Sequence, residues 1–180
     1  MNGVKAVSAS DRYSMIIKND GSLWATGDNT GGLYGNGTQI RSYEFEKIRD
    51  NVKAVTCGPS HTSIITSDGN LLISGFNVEG QLGNGTNTAS FSFVQVIGGI
   101  DVVAVDNGEN FTLFLNSDGN LYGFGNNGHG QLGQGNYTNS PVSIATNVSS
   151  FSAGDSHTLY ITNDGKFWGV GDSSYGQSGT

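Results

Sequence analysis

Ser67-Asp68-Gly69-Asn70-Leu71-Leu72-Ile73-Ser74-Gly75-Phe76-Asn77-Val78-Glu79-Gly80-Gln81-Leu82-Gly83-Asn84-Gly85-Thr86 decides the fold, because a version of it stands four times in the chain. Its Asp-Gly pair recurs at Asp20-Gly21, Asp118-Gly119 and Asp164-Gly165, giving spacings of 48, 50 and 46 residues. A fixed period of that size marks a propeller, a solenoid or an array. In each copy the pair lies between two apolar runs, as Ser63–Thr66 and Leu71–Ser74 do here. Asp-Gly supplies the positive φ angles of a tight turn, so each copy is predicted to hold a β-hairpin closed by a type I′ turn.

After the hairpin comes Gly-x-Asn-x-x-Gly-Gln-Leu-Gly-x-Gly. It is Gly75, Asn77, Gly80, Gln81, Leu82, Gly83 and Gly85 in copy two, and Gly125, Asn127, Gly130, Gln131, Leu132, Gly133 and Gly135 in copy three. Four glycines in eleven residues call for backbone conformations closed to a Cβ, or for close approach of two backbones. The segment reads as a shaped turn rather than a strand.

Upstream, Val4, Val52, Val102 and Val148 each open a run with apolar residues first and fourth, ending at a small residue: Ser10, Gly58, Gly108 and Gly154. That pattern predicts a short inner strand and a turn. Downstream, Phe45–Ile48, Phe93–Val96 and Val142–Ile144, the last behind Pro141, alternate with period two and predict a further strand at a sheet edge. No window carries a convincing 3.6-residue apolar period. The chain is therefore expected to be all-β: β-propeller blades of four short antiparallel strands at about 4–51, 52–101, 102–147 and 148–180, the last incomplete, forming one repeat domain over 1–180.

The repeats resemble those of the regulator of chromosome condensation family. The likeness rests on the G-x-S-H-T of Gly58–Thr62 and Gly154–Thr158, on D-G-x-L-x-x-x-G-x-N at Asp68–Asn77, and on G-Q-L-G-x-G-T at Gly80–Thr86. It covers nearly the whole chain. It implies a β-propeller, usually of seven blades, that works through protein contacts on its faces. Members include a nuclear exchange factor for a small GTPase that docks on nucleosomes, and secreted bacterial proteins that plug the mouth of β-lactamases. A shared scaffold does not carry a site with it, and this chain has neither a basic tail nor a long insertion that could act as an exchange wedge. Copies one and four also depart from the pattern, with Leu33-Tyr34 in place of Gln-Leu, Ser173 in place of Asn and Ser178 in place of Leu.

Composition narrows the function classes. The chain has 180 residues with 29 glycines and 13% charged residues, a balance suited to a turn-rich β protein. Eight Lys and Arg stand against 15 Asp and Glu, a net charge of -7, so nothing draws it to phosphate backbones or anionic membranes. The N-terminus lacks the apolar core of a signal peptide, and no apolar run approaches the ~20 residues of a membrane span. The single cysteine, Cys57, is expected to be a small buried hydrophobe. Five N-x-S/T sequons, at Asn36, Asn84, Asn110, Asn136 and Asn147, are explained by turn chemistry in an Asn-rich chain.

A ring of seven such repeats needs about 340 residues, so this chain supplies about half a propeller, and repeat units cannot bury their core faces without neighbours. Three arrangements answer that: two chains closing an even-numbered ring around a two-fold axis, an arc capped by another protein, or a piece of a longer propeller.

Catalysis and metal binding find no support in the motifs. There is no G-x-S-x-G elbow, H-E-x-x-H helix, Walker-type loop or D-x-D-x-D-G calcium loop. His61 and His157 share a repeat position with Tyr13 and Phe111, so a packed ring with a satisfied hydrogen bond is expected there, and His129 is expected to be exposed. No enzyme activity, cofactor or metal is predicted. Partner contacts are expected where the repeats diverge: at Tyr43, Phe91 and Tyr137 between glycine turn and last strand, and at Arg12, Glu109 and Asp155 before each outer hairpin. The expected function is a non-enzymatic protein-binding propeller. It would serve as a structural or adhesive component of a multi-copy surface assembly, such as a cell envelope or virion, or else as a soluble regulator or inhibitor capping one globular partner.

Overall fold

A computed structural model describes residues 1–96, 100–133 and 135–179. Thr180, where the sequence reading ends the fourth copy, and Gln134, inside the third copy's glycine motif, lie outside them. The described residues form fifteen strands in four antiparallel sheets. Blade one is β1 (Val4–Ala9), β2 (Tyr13–Lys18), β3 (Leu23–Gly27) and β4 (Ser42–Arg49). Blade two is β5 (Val52–Cys57), β6 (His61–Thr66), β7 (Leu71–Gly75) and β8 (Ser90–Gln95), and blade three is β9 (Val102–Asn107), β10 (Phe111–Asn116), β11 (Leu121–Gly125) and β12 (Thr138–Ala145). Blade four has β13 (Val148–Ala153), β14 (His157–Thr162) and β15 (Phe167–Gly171) among the described residues. In every sheet neighbouring strands are also neighbours in sequence, so each blade is a meander of local pairings. This is a partial β-propeller.

The hairpin turn differs from the expected type. Gly21, Gly69, Gly119 and Gly165 have φ near +80°, while the aspartates before them are absent from the residues of positive φ. Gly21 N donates to Lys18 O at 2.9 Å and Lys18 N donates to Ser22 O at 2.9 Å, and the other three copies repeat the pair. That is a type I turn followed by a left-handed glycine, the three-residue loop, in which only the glycine needs positive φ. The aspartate has a second task there: Asp20 Oδ1 accepts from Ser22 N and Oγ, which holds its carboxyl below the usual range. Pro141 stands inside the edge strand β12 rather than at its start, beside a shift in register between Gly123 and Gly125. At an edge the missing N–H costs no ladder bond.

The core lies between blades. Three apolar clusters fill the three joints: Met15, Ile17 and Leu23 of blade one meet Ile64 of blade two, Ile73 and Leu82 of blade two meet Phe114 and Phe124 of blade three, and Leu113 and Leu121 of blade three meet Phe151 and Tyr160 of blade four. Alternation along each strand sends one set of side chains forward and the other back. β6 and β10, central in their sheets and flanked by blades on both sides, are therefore buried at every residue. Phe114 stacks on Tyr122 with ring centroids 5.1 Å apart, and Tyr160 on Trp168 at 6.2 Å. Cys57 is half-buried in β5, packed against the first of these clusters.

Candidate functional site

Strand direction gathers the variable loops at one end of the blades. In an antiparallel meander the loop after the first strand and the loop after the third return to the same edge, and the Asp-Gly hairpin lies at the opposite one. The two loops are tied together in every blade: Asp28 N donates to Arg12 O, Phe76 N to Ser60 O, Asn126 N to Asn110 O and Asp172 N to Ser156 O, all at 2.8–2.9 Å. Arg12, Glu109 and Asp155 ride on the first of these loops, Tyr43 and Phe91 stand second in the outer strands that leave the second, and Tyr137 immediately precedes β12. All six candidates therefore lie at the same end of the blades.

Their environments differ. The Arg12 guanidinium is largely exposed and sits 4.0 Å from the Asp28 carboxylate, a loose surface pair of little energetic weight. Asp28 is held below the ordinary carboxylate range mainly by the Thr30 hydroxyl and backbone N–H, with Arg41 and Arg12 adding to it. Glu109 and Asp155 are exposed, with Glu109 N donating to Asp155 O at 3.2 Å. Tyr43 is 88% exposed and Tyr137 is 61% exposed. Phe91 is covered in part, because Gly32 of blade one packs on its backbone and ring. The ladder puts Ser42, Ser90 and Thr138 opposite Gly27, Gly75 and Gly125, so Tyr43 and Phe91 are equivalent, whereas Asn139 takes that position in blade three and Tyr137 stands two places earlier.

Two clefts open between blades at this end. One, of about 330 Å³, is lined by Arg12, Tyr13, Asp28, Pro59 and Phe76 at the joint of blades one and two. The other, of about 160 Å³, is lined by Glu109, Asn126, His129, Gln131 and Asp155 at the joint of blades three and four. Between them the joint of blades two and three is bridged: Ser60 Oγ donates to Glu109 O at 2.5 Å and Gln81 Nε2 to Asn110 Oδ1 at 3.2 Å. His129 is exposed at its cleft.

A buried asparagine that the sequence reading did not assign a task shapes this face. Asn77 Oδ1 accepts from Leu82 N at 3.0 Å, while its Nδ2 donates to Thr86 O at 2.9 Å and Thr88 O at 3.0 Å. Asn29 does the same with Tyr34 N, Thr38 O and Ile40 O, and Asn127 with Leu132 N and Gly135 O. Its recurrence in the motif was the available signal, since a residue with both donor and acceptor can pin a turn that has no ladder of its own. Copy four has Ser173 there, in contact with Ser178 at 2.5 Å.

The buried titratable groups are tuned for packing rather than for chemistry. His61 is wholly buried, its Nε2 sharing a hydrogen bond with Thr112 Oγ1 at 2.8 Å and its Nδ1 one with Ser60 Oγ at 3.1 Å. Burial lowers its pKa to about 4, so the ring is neutral near neutral pH. Burial pushes the Cys57 thiol up to about 11, the opposite of an activated nucleophile. Among the described residues no group of three or more His, Cys, Asp or Glu is placed to hold a metal ion.

Comparison with known proteins agrees with this architecture. A family model described as the regulator of chromosome condensation (RCC1) repeat matches residues 4–33, 52–81, 101–131 and 148–177, and a second of the same description matches 118–161. The chain belongs to this repeat family. The four windows stop inside the glycine turn, so the outer strands that carry Tyr43 and Phe91 lie outside them. Solved structures with the same fold include human WBSCR16, with 22% identity and a TM-score of 0.84, covering 93% of this chain and 47% of that one. Yeast RCC1 (Prp20) bound to Kap60 has 16% identity and a TM-score of 0.81 over 94% of this chain and 44% of that one. Prp20p from Saccharomyces cerevisiae, described with its binding properties to Gsp1p and histones, has 17% identity and a TM-score of 0.78, over 93% and 45%. The chain thus spans less than half the length of these three, and at such identities the likeness is one of fold. No curated protein sequence matches it.

Proposed function

We propose that this chain is a non-enzymatic protein-binding module that engages a globular partner through its loop face. The observation that carries the reading is the convergence of the divergent residues on one end of the blades, around two clefts at blade joints and beside the exposed rings of Tyr43, Tyr137 and Tyr175. Exposed aromatics beside polar clefts are the ordinary anchors of protein interfaces. The comparisons support a protein as the partner: one yeast relative is bound to Kap60, and the same protein is described as binding Gsp1p and histones. A net charge of -7 favours a partner surface of positive charge, through faster encounter at low salt. The role as a structural or adhesive component of a surface assembly, extracellular or on a virion, has only the Asn-, Ser- and Thr-rich composition behind it and stands second.

A photo-crosslinking amino acid placed at Tyr175 or Tyr43 tests the reading against one placed at Asp68, on the opposite end. In extracts of the source cell the loop-face probes should trap a protein that the Asp68 probe does not, and Glu109→Lys should weaken that capture. Identical products from both ends would remove the loop face as the binding surface.

A further inference from the structure

Two glycine turns of this chain hold the parts of a spontaneous backbone reaction. Asn36-Gly37 in blade one and Asn84-Gly85 in blade two stand at the same place in the motif, and both glycines have positive φ, +83° and +78°. In an Asn-Gly pair the glycine nitrogen can attack the preceding side-chain carbonyl carbon, since no Cβ screens the approach. The oxygen that would gain charge in that attack already accepts two hydrogen bonds. Asn36 Oδ1 accepts from Thr38 N at 3.1 Å and Thr38 Oγ1 at 2.9 Å, and Asn84 Oδ1 accepts from Thr86 N at 3.1 Å and Thr86 Oγ1 at 2.8 Å. Donors so placed stabilise a developing oxyanion.

What holds the reaction back is the neighbouring blade. Gly37 N donates to Phe91 O of β8 at 2.8 Å, and Gly85 N donates to Asn139 O of β12 at 2.9 Å. A nitrogen whose hydrogen is committed to a carbonyl neither loses it readily nor turns toward the side chain behind it. Asn107-Gly108 and Asn127-Gly128 differ, because Phe111 O and Asn126 Oδ1 hold their glycine N–H groups within the same blade. The two inter-blade seats are also unequal. Beside the first, Phe93 N donates to Gly35 O at 3.3 Å, so two bonds bracket Asn36. The counterpart of Phe93 in blade three is Pro141, which has no N–H to give, and that second bond is not available to the seat of Asn84.

We propose that Asn36 and Asn84 are latent deamidation sites, open to reaction only when the outer strand of the next blade lifts off the glycine turn, with Asn84 the faster of the two in the folded chain. Once lifted, the glycine nitrogen bonds to Cγ, the Cγ–Nδ2 bond breaks, and the amide proton passes through water to the departing Nδ2, which leaves as ammonia. Water then opens the succinimide ring at either carbonyl, restoring the N–H and leaving aspartate or isoaspartate, with nothing oxidised or reduced. Isoaspartate lengthens the main chain by one methylene, which carries the glycine N–H away from the carbonyl that held it. The aspartate product at residue 36 sets a carboxylate oxygen where Nδ2 now donates to Glu46 Oε1 at 3.2 Å, bringing two like charges together. The reaction thus turns a transient opening of a blade joint into a permanent one, at the end of the blades that carries the divergent loops.

Both residues lie in the same tetrapeptide, Gly-Asn-Gly-Thr, so their rates in the unfolded chain should be equal and any difference in the folded chain is structural. Chymotryptic peptide mapping during incubation in mildly alkaline buffer, with a methyltransferase specific for isoaspartate as second readout, follows each site. Relative to the chain in urea, each folded-state rate should fall by the factor by which hydrogen exchange at Gly37 or Gly85 is protected, because both reactions wait on the same local opening. Gly32→Ala puts a Cβ 2.5 Å from Phe91 Cα, and Gly80→Ala puts one 2.7 Å from Asn139 Cα. The first should speed Asn36 more than Asn84 and the second the reverse, with circular dichroism verifying that each variant folds. Where a variant fails to fold, the match between amide protection and deamidation in the unaltered chain carries the test. Folded-state rates as fast as those in urea, rates unrelated to amide protection, or equal acceleration of both sites in each variant overturns the proposal. Asn36 reacting ahead of Asn84 in the unaltered folded chain refutes the ranking.

Discussion

Gly80 and Gly130 occupy the same repeat position with φ of +86° and +80°, yet one meets a neighbour and the other does not. A Cβ on Gly80 would lie 2.7 Å from Asn139 Cα, a backbone atom that cannot rotate away, whereas one on Gly130 would meet nothing within 4 Å. Gly130 is free because its turn faces blade four, whose described residues hold three strands and no counterpart of β8 or β12. Replacing either glycine by alanine forces a left-handed conformation on an L-residue, at about 1–2 kcal/mol, and restricts the unfolded chain equally, so both effects cancel in the comparison. Only Gly80→Ala adds an overlap inside a packed joint, worth about 1–3 kcal/mol. For a domain of this size about 2 kcal/mol moves the melting temperature by roughly 4–8 °C. Gly80→Ala should therefore melt about that far below Gly130→Ala, and urea unfolding at 25 °C should give the same order. Equal losses would mean that the glycines of this turn answer to backbone conformation alone, and that the close seating of one blade's turn on the next contributes nothing.

Two further outcomes follow from the buried groups. His61 is neutral in the folded chain with a pKa of about 4, against an ordinary value of 6.5, so the unfolded chain takes up its proton first as pH falls. The stability this provides is present above pH 6.5 and lost on the way down to pH 4, by about 3 kcal/mol at the most. His61→Phe, which places the residue of Phe111 at that position, should make unfolding free energy less dependent on pH over that window than in the unaltered chain; parallel curves would remove His61 as the source. The Cys57 thiol is raised from 9.0 to about 11 and lies 3.5 Å from Ser8 O. Its reaction with a thiol reagent at pH 8 should be about 100-fold slower than that of a free thiol and should accelerate with urea through the unfolding transition, whereas fast labelling of the folded chain would contradict its placement.

The sequence by itself determined what is local. Strand alternation, the Asp-Gly punctuation and the glycine-rich motif set the repeat, the four-stranded meander and the all-β class, because each blade pairs only neighbours along the chain. Even there the turn type escaped, since Asp-Gly fits either a two-residue loop or a three-residue loop, and the ladder's closing bond from Lys18 N to Ser22 O selects between them. The asparagine that pins each glycine turn was visible as a recurring letter, but its partners, up to eleven residues away, were not.

Tertiary structure decided which of the equivalent positions remain open. Tyr43 and Phe91 share a register, yet Phe91 is half as exposed because the glycine turn of blade one lies on it, while no described residue plays that part for Tyr43. Tyr137 fell out of their register, where Asn139 stands instead, because Gly125 pairs with a residue 13 positions on, Thr138, whereas Gly27 and Gly75 pair with Ser42 and Ser90, each 15 positions on. A repeat read from sequence assigns the same environment to every copy; exposure depends on the neighbouring blade, and that is a property of how the blades pack.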